Sequence, residues 1–421
     1  MIDIKLLRKN TDFFRQAFKK RNVKDVAITE IIEHDKQYRE NLQKIEELKN
    51  QKNSFNKNIS KFTKEEKVEK IQQLTDLTAQ EAKLEEEIKN IKSALQKLTL
   101  DLPNLPAEDV NVGKDESENK VIKKIGNLPK FSFKPKSYLE IAENLDIIDT
   151  KRAAKVSGPR FGYLKKEGAL LWNALIQYTL EILLKENFIP FYSPSLVKEE
   201  VMHNSGYNSY TEGQEAYFIS KDKLYLVGTG EHALLPYHSD EILKSSELPL
   251  RYTTFSSCFR REAGSYGKDT KGILRVHQFD KQEMVVISAP QNSWEIFEEL
   301  LGIQKTIIEG LGLPYQLLMV CTGDLPKPSA KVIDLECWMP SENKYRETHS
   351  ASNCTDFQAR RNNIKYRDKE NILYFPHILN ATAITPRTLL SIIENCQQED
   401  SSVKVPEKLH KFCNFTEIRK K

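Results

Sequence analysis

Glycine and proline are missing from the first hundred residues. All 17 prolines and 16 glycines fall after residue 102, and the first of them are Pro103 and Gly113. This segment is rich in Lys, Glu, Gln and Leu, which favour helix, and it has nothing to interrupt one. The sequence therefore predicts two parts, an N-terminal helical domain over residues 1–102 and a second domain over residues 103–421.

Segments that would carry the chain out of the cytoplasm are also missing. No run of about 18 apolar residues occurs, which predicts that no helix spans a membrane. The N-terminus, MIDIKLL, is mixed and charged, and so differs from a secretory signal. The six cysteines include no C-x-x-C pair, which argues against a metal site or a disulfide scaffold. We therefore expect a cytoplasmic protein with no membrane partner.

The common glycine-rich nucleotide motifs are absent. The sequence has neither the G-x-x-x-x-G-K-[ST] loop nor the G-x-G-x-x-G fingerprint. A nucleotide site in this chain would therefore have to be built on a sheet. The formal net charge of +4 neither requires nor excludes a nucleic-acid partner, because such a partner needs only a local basic surface.

The helical segment consists of two halves separated by a polar stretch at residues 60–67. The second half has an apolar seam with heptad-like spacing: Leu77, Leu84, Ile88, Ile91, Leu95 and Leu98. The apolar set of the first half is less regular and its phase slips near Leu48: Tyr38, Leu42, Ile45, Leu48, Phe55, Ile59 and Phe62. We predict an antiparallel coiled-coil hairpin with Thr63 as the N-cap of its second helix. The alternative is one continuous helix that dimerises in parallel.

Beyond residue 102 the sequence mixes strand and helix patterns. Helical spacing covers residues 168–184 and 389–395. Strand patterns occur at residues 223–229, 252–262, 273–287, 315–321 and 331–339. This mixture predicts an α+β domain built on antiparallel strands.

Three predicted strands carry polar residues on a face that would be apolar in an ordinary half-buried strand. The residues share a face because they lie two or four positions apart: Thr229 and Glu231; Arg260 and Glu262; Arg275, Phe279 and Glu283. Such a face lines a site or is a solvated surface with cross-strand ion pairs, and spacing alone favours neither. Arginines bind phosphate, aromatic rings stack on purines, and carboxylates hold ammonium groups, hydroxyls or Mg²⁺.

The motifs at these positions follow the order of a known family. Residues 259–262 (FRRE), Arg275 and residues 277–283 (HQFDKQE) resemble motif 2 of class II aminoacyl-tRNA synthetases in its seryl form. Residues 168–194 are similar to motif 1, residues 345–361 to the family's ATP/Mg²⁺ segment, and residues 379–395 to motif 3. The resemblance covers essentially the whole chain, including the N-terminal arm.

The resemblance implies a fold and a reaction. The fold would be a class II synthetase-like antiparallel sheet flanked by helices, preceded by the coiled-coil arm. The reaction would be that of an ATP-dependent serine--tRNA ligase, which makes seryl-adenylate and transfers the seryl group to the 3′ end of its tRNA. Implied partners are ATP, Mg²⁺, serine, serine-isoacceptor tRNAs and a second copy in a homodimer. Charging of selenocysteine tRNA is left open.

The resemblance also implies roles for particular residues. Serine would be bound by Thr229, Glu231, Arg260, Glu283, Asn380 and Thr382, with Glu231 on its ammonium group. ATP would be bound by Arg260, Glu262, Arg275, Phe279, Glu347, Ser350 and Arg387, and Mg²⁺ by Glu347 and Ser350. Arg260, Glu283 and Arg387 would be catalytic. The arm would contact tRNA phosphates through Lys49, Lys52, Lys57, Lys61 and Lys64.

Motif 3 departs from the family pattern. The segment from Asn380 to Arg387 is one residue shorter than usual and lacks the family's glycines. We predict that Thr385 caps the following helix and that Pro386 takes its first position, which would let Arg387 emerge from the first turn.

Two rival interpretations remain at this stage. The chain could be a paralogue that loads a carrier protein, although such relatives usually lack the arm. It could also be an inactive coiled-coil interaction protein, against which the retained charged residues of the motifs argue. ATP binding separates the second rival from the others.

Overall fold

The computed structural model describes residues 1–58, 63–207, 215–263 and 271–420, with the side chains of residues 58, 64 and 65 left out. The chain forms two compact units, Met1–Pro103 and Asn104–Lys421. The tip of the predicted reversal, including Lys61, lies outside the described residues, and so does the side chain of Lys64. Across the described ranges, no helix is long and apolar enough to cross a membrane.

The first unit is helical and its long helices form a hairpin. Its helices are α1 (Ile4–Lys9), α2 (Thr11–Lys20), α3 (Asp25–Asn58) and α4 (Lys64–Asp101). Lys49 pairs with Glu85 at 3.5 Å and Lys52 with Glu81 at 2.6 Å, so α3 and α4 run in opposite directions. Thr63 caps α4, because its hydroxyl accepts from the backbone N–H of Glu66 at 3.3 Å. The predicted antiparallel hairpin is confirmed.

The predicted phase slip in the first half of the arm is wrong. The seam of α3 runs without a break through Tyr38, Asn41, Ile45, Leu48, Lys52 and Phe55, all buried or half-buried. Leu42 is exposed, and Asn41 takes the seam position next to it. Asn41 and Lys52 contact Glu87 and Glu81 of α4. The apolar pattern looked irregular because two seam positions carry polar residues that are paired across the hairpin.

The second unit contains short helices and many strands. Its helices are α5 (Tyr138–Leu145), α6 (Thr150–Ser157), α7 (Lys166–Lys185), α8 (Glu199–Ser205), α9 (Glu231–Leu234), α10 (Ser293–Gly310), α11 (Phe357–Arg361) and α12 (Pro386–Asn395). Its strands are β1 (Lys120–Ile125), β2 (Ile148–Asp149), β3 (Tyr163–Leu164), β4 (Ile189–Phe191), β5 (Leu196–Lys198), β6 (Phe218–Ile219), β7 (Leu224–Leu226), β8 (Ile242–Lys244), β9 (Leu250–Phe259), β10 (Gln278–Ser288), β11 (Tyr315–Met319), β12 (Lys331–Met339), β13 (Lys344–Asn353), β14 (Lys365–Arg367), β15 (Leu373–Tyr374), β16 (His377–Ile384), β17 (Val403–Lys404) and β18 (Glu417–Ile418).

One large sheet organises this unit. Its eight strands lie in the order β1-β11-β12-β13-β16-β10-β9-β4. All neighbours pair antiparallel except β4 and β9, which are parallel. Helices α7, α10 and α12 share a buried apolar core with the sheet, to which they contribute Leu175, Phe297 and Leu389. This is the predicted antiparallel sheet flanked by helices.

Strand β10 changes the character of one face along its length. Met284 and Val286 point into the core beneath the helices, and Val285 packs in a second apolar cluster. The same face as Val285 carries Phe279 and Glu283 nearer the start of the strand, because these residues lie an even number of positions apart. The face is therefore a site lining at one end and core at the other.

Three strands are shorter than predicted. Strands β7 and β9 end at Leu226 and Phe259, and β10 begins at Gln278. Five predicted site residues consequently lie just off the strand ends: Thr229, Glu231, Arg260, Glu262 and Arg275. A side chain at Gly230 would meet the Thr254 methyl group at 2.5 Å, so the chain turns closely against β9 there. Glu262 has a φ of 53°, which strand geometry does not allow.

Candidate active site

A cavity of about 390 Å³ opens against the large sheet. All twelve residues to which the resemblance assigned a role in binding serine, ATP or Mg²⁺ line this cavity: Thr229, Glu231, Arg260, Glu262, Arg275, Phe279, Glu283, Glu347, Ser350, Asn380, Thr382 and Arg387. The volume suits a small ligand. The lining divides into a buried end around Glu231 and Glu283 and a more open end around two Arg–Glu pairs, which we call the carboxylate end and the arginine end.

Glu231 is held by two donors at the carboxylate end. Its side chain is almost fully buried, with the residue 2% exposed. Gln358 Nε2 donates to Oε1 at 2.6 Å, and the Tyr207 hydroxyl donates to Oε2 at 3.3 Å. Burial raises the pKa of Glu231 to about 7, opposed by the hydrogen bond from Gln358 and reinforced by the charge of Glu283. An arriving ammonium group would favour its ionised form.

Glu283 is also buried and receives two donors on one oxygen. The Thr229 hydroxyl donates to Oε2 at 3.0 Å, and the Lys281 ammonium forms an ion pair with the same oxygen. Thr382 is the neighbour of Glu283 across the β10–β16 ladder, and Asn380 lies two residues before it on the same strand. A carboxylate, two hydroxyls and an amide therefore converge on the part of the cavity that the sequence assigned to the serine side chain.

Arg260 lies between the two ends. Its Nε donates to the Gly228 carbonyl at 3.1 Å, which fixes the direction of the guanidinium. The guanidinium carbon is 5.3 Å from the ring centroid of Phe279, within the range of a cation–π contact. A planar cation held in this way can donate hydrogen bonds to two carboxylate or phosphate oxygens side by side.

The arginine end consists of two ion pairs. Arg275 Nη1 contacts Glu262 Oε2 at 2.6 Å, and Arg387 Nη1 contacts Glu347 Oε2 at 3.0 Å. Arg387 also donates to the backbone carbonyls of Glu347 and Leu274, at 3.0 and 3.2 Å. Partial desolvation acts to raise the pKa of Glu347, whose side chain is half exposed, but the charge and hydrogen bond of Arg387 outweigh it and hold the pKa below its ordinary value. The two groups predicted to bind phosphates are thus paired with groups predicted to bind adenine and Mg²⁺.

Two β-bulges direct residues into the cavity. On β13, Glu336 faces Glu347 while Leu335 faces His349, so Thr348 is an extra residue. Glu347 and Ser350 lie three positions apart and would point to opposite faces of a regular strand, but the bulge lets both line the cavity. On β16 the extra residue is Ala383, because Glu283 faces Thr382 and Gln282 faces Ile384.

Between these bulges the sheet opens and side chains bridge the gap, which we call the β13–β16 gap. On the β13 side, the hydrogen-bonded ladder to β16 covers Ala351–Asn353 and stops at Ala351. Beyond it, Gln304 of α10 donates to the carbonyls of Ser350 and Thr382, at 3.0 and 2.8 Å. His349 Nε2 lies 3.1 Å from the Ala383 carbonyl. Burial lowers the pKa of His349 to about 4, so the ring is neutral near pH 7 and Nε2 is the donor to that carbonyl.

Motif 3 differs from its prediction in one respect. Pro386 does take the first helical position of α12, and Arg387 emerges from the first turn. Thr385 occupies the preceding position, but its side chain makes no capping hydrogen bond. Its hydroxyl instead donates to the Thr348 carbonyl at 3.0 Å, across the β13–β16 gap. Thr385 therefore holds the predicted N-cap position, but the predicted capping hydrogen bond is not made.

Sequence reasoning missed several residues around the cavity. Lys281 shares the cavity face of β10 with Phe279 and Glu283, so the two-residue alternation was a sufficient signal. Asp334 of β12 lies opposite Ser350 and accepts a hydrogen bond from its hydroxyl. Burial and the Glu347 charge raise the pKa of Asp334 well above its ordinary value. Gln358 gave no sequence signal, because its contact with Glu231 is made across the fold.

Two family models match the chain. One, described as "Seryl-tRNA synthetase N-terminal domain", matches residues 1–106, and one described as "tRNA synthetase class II core domain (G, H, P, S and T)" matches residues 217–396. A serine--tRNA ligase of Thermosipho africanus is 43% identical over 427 residues, which cover 100% of both chains.

Solved structures agree with these relatives. The chain is similar to a seryl-tRNA synthetase from Pyrococcus horikoshii complexed with ATP, with a TM-score of 0.95, 36% identity and 100% coverage of both chains. It is also similar to a cytoplasmic serine-tRNA ligase from Naegleria fowleri in complex with AMP, with a TM-score of 0.90, 32% identity and coverage of 100% and 99%.

Proposed function

The chain belongs to the seryl-tRNA synthetase family, and from this premise we propose that it activates serine with ATP and transfers the seryl group to the 3′ end of serine tRNA. The observation that carries the proposal is the cavity itself. Its carboxylate end offers buried acceptors for an ammonium group and a hydroxyl, and its arginine end offers cations for a triphosphate. An amino acid and ATP are the pair of substrates that such an arrangement fits.

In the first step, the serine carboxylate attacks the α-phosphorus and displaces pyrophosphate. Glu231 would hold the ammonium group, and Arg260 would bridge the carboxylate and the α-phosphate. Arg275 and Arg387 would bind the outer phosphates, with Glu262 and Phe279 on the adenine. The terminal tRNA hydroxyl then attacks the acyl carbonyl and releases AMP. Positioning and charge neutralisation supply the catalysis, with no covalent enzyme intermediate.

Mg²⁺ is the cation that the arginine end would share with ATP. In the described part of the chain no three His, Cys, Asp or Glu residues are grouped as a metal cage. Mg²⁺ needs no such cage, because at nucleotide sites it is held by one or two carboxylates together with phosphate oxygens and water. Glu347 and the Ser350 hydroxyl fit that requirement, and the ion would neutralise phosphate charge.

The arm and a second copy complete the proposal. We propose that the arm ending near residue 102 binds tRNA in the cytoplasm, with selenocysteine tRNA as a second substrate to be tested. Lys57 is exposed, whereas Lys49 and Lys52 would have to leave Glu81 and Glu85 to reach phosphates. Homodimerisation is supported by the edge strand β4, where Ile189 is 52% exposed.

The test is amino-acid-dependent ATP–pyrophosphate exchange with serine, threonine, alanine, glycine and cysteine, followed by charging of total tRNA. We expect exchange with serine and charging of serine tRNA. Exchange without charging would favour the carrier-loading paralogue, and no exchange with any amino acid would favour the inactive protein. Mass measurement in solution tests the dimer, and removal of residues 30–95 should abolish charging while exchange persists.

A further inference from the structure

Lys281 is a buried cation in the carboxylate end that the reaction as described above does not use. It lies on β10 between Phe279 and Glu283, lines the cavity, and its side chain is only 12% exposed. Its ammonium group pairs with Glu283 Oε2 and lies 3.4 Å from the Thr229 hydroxyl oxygen. Burying a lysine beside a ligand cavity costs free energy, which its pairing with Glu283 offsets.

The surroundings of this lysine contain two buried carboxylates. Glu231 and Glu283 are 2% and 1% exposed, and each acts on the other through its charge. Besides burial, the charge of Glu283 acts to raise the pKa of Glu231, and the charge of Lys281 acts to lower it. Among the described residues, Arg260 also acts on this end through its charge, and burial keeps His232 neutral by lowering its pKa to about 3.

We propose that Lys281 is a specificity-determining positioning residue, which orients Glu283 so that the cavity selects an amino acid with a hydroxyl on its side chain. The proposal rests on the proposed function, since it concerns the same serine site. Lys281 acts through Glu283 and needs no contact with the substrate.

The chemistry of the acceptor explains the selectivity. An ionised carboxylate only accepts hydrogen bonds, and both protein donors converge on Oε2 of Glu283, so Oε1 is the oxygen offered to a ligand hydroxyl. Alanine has no donor to place there, and the thiol of cysteine is a weak one.

The test compares three substitutions at this position with one control. Lys281→Met removes the charge and keeps the length of the side chain, Lys281→Gln keeps a donor without charge, and Lys281→Arg keeps the charge. The control is Lys331→Met, because Lys331 is also buried and paired, with Asp109 at 2.5 Å, but does not line the cavity. Exchange is measured with serine, alanine and cysteine across pH, and folding is followed by thermal unfolding.

We expect Lys281→Met and Lys281→Gln to raise KM for serine about 100-fold while KM for ATP changes little. The acid limb of kcat/KM, which Glu231 sets near pH 7, should move to higher pH, because the charge of Lys281 acts to lower the pKa of Glu231 and would be lost. In the same two variants, discrimination of serine against alanine should also fall. Lys281→Arg should restore most of the pH profile, and Lys331→Met should lower the unfolding temperature alone.

A folded neutral variant that keeps the wild-type pH profile and serine preference would overturn the proposal, and so would a Lys281→Arg protein no better than Lys281→Gln. If Lys281→Met fails to fold, Lys281→Gln and Lys281→Arg alone decide between charge and packing. Failure of the proposed function is distinguishable, because the wild-type protein would then show no serine-dependent exchange.

Discussion

The two ends of the cavity achieve recognition by different physical means. At the carboxylate end, Glu231 and Glu283 are almost fully buried and each is fixed by two protein donors. At the arginine end, Arg275 and Arg387 are about 30% exposed and are paired with carboxylates that ATP or Mg²⁺ would engage. The first end is complete before a ligand arrives, whereas the second must exchange partners when one does.

This difference separates selectivity from affinity. A buried polar site penalises a ligand that leaves its groups unpaired, so it discriminates between small amino acids. A half-exposed set of charges attracts a polyanion without reading its details, and salt screens it. Four measurements can sharpen or break this comparison.

The largest effect is expected for Glu231→Gln. The change removes the buried charge that we propose holds the substrate ammonium group, so serine-dependent exchange should fall about 1,000-fold while ATP binding by calorimetry changes little. Asp35→Asn is the matched control, because Asp35 is equally buried in the N-terminal unit and pairs with Arg8 at 3.0 Å. Equal loss of ATP and serine binding in Glu231→Gln would contradict the separation of the two ends.

At the arginine end, Glu347→Gln should lower exchange about 100-fold and raise the Mg²⁺ concentration needed for half-maximal rate. The substitution frees Arg387 from its pair and removes the proposed carboxylate ligand. KM for serine should stay within about threefold of wild type, since the carboxylate end is untouched. An unchanged Mg²⁺ dependence would count against Glu347 as a metal ligand.

The pH dependence should differ between the substrates. The pKa of Glu231 is raised to about 7 in the free protein, so its carboxyl gains a proton as the pH falls through that value and loses its attraction for the ammonium group. We expect kcat/KM for serine to fall roughly tenfold for each pH unit below about 7. ATP binding should be flat over the same range, and a parallel decline of both would refute the assignment.

The smallest effect concerns salt. Raising ionic strength from about 0.05 to about 0.5 M should raise KM for ATP by roughly two- to fivefold, because the arginine end is partly exposed. KM for serine should change by less than about 1.5-fold, since buried charges are screened little. Steady-state exchange at constant pH with potassium chloride as the added salt measures both. A larger salt effect on serine would remove the contrast between the ends.

Sequence patterns predicted the sheet and the hairpin, and the family resemblance supplied the set of residues around the cavity, but neither predicted how those residues reach it. Helix and strand periodicities depend on local burial, which is why α7 and β12 follow their predicted ranges closely. Thr229 and Arg260 lie beyond strand ends because close approach at Gly230 and the loops after β9 override local preference. The bulge at Thr348 shifts the alternation by one residue, and no spacing rule contains that shift.

The bridged β13–β16 gap has a consequence for how the chain can vary. Arg387 is hydrogen-bonded to Leu274 and Glu347, and Thr385 to Thr348. Their positions are therefore set by these neighbouring segments and not by the number of residues after Asn380. The connection between Asn380 and Arg387 can therefore lose a residue without displacing the guanidinium. In this part of the fold, the length of the connecting segment can vary, whereas the hydrogen bonds to neighbouring segments must be kept.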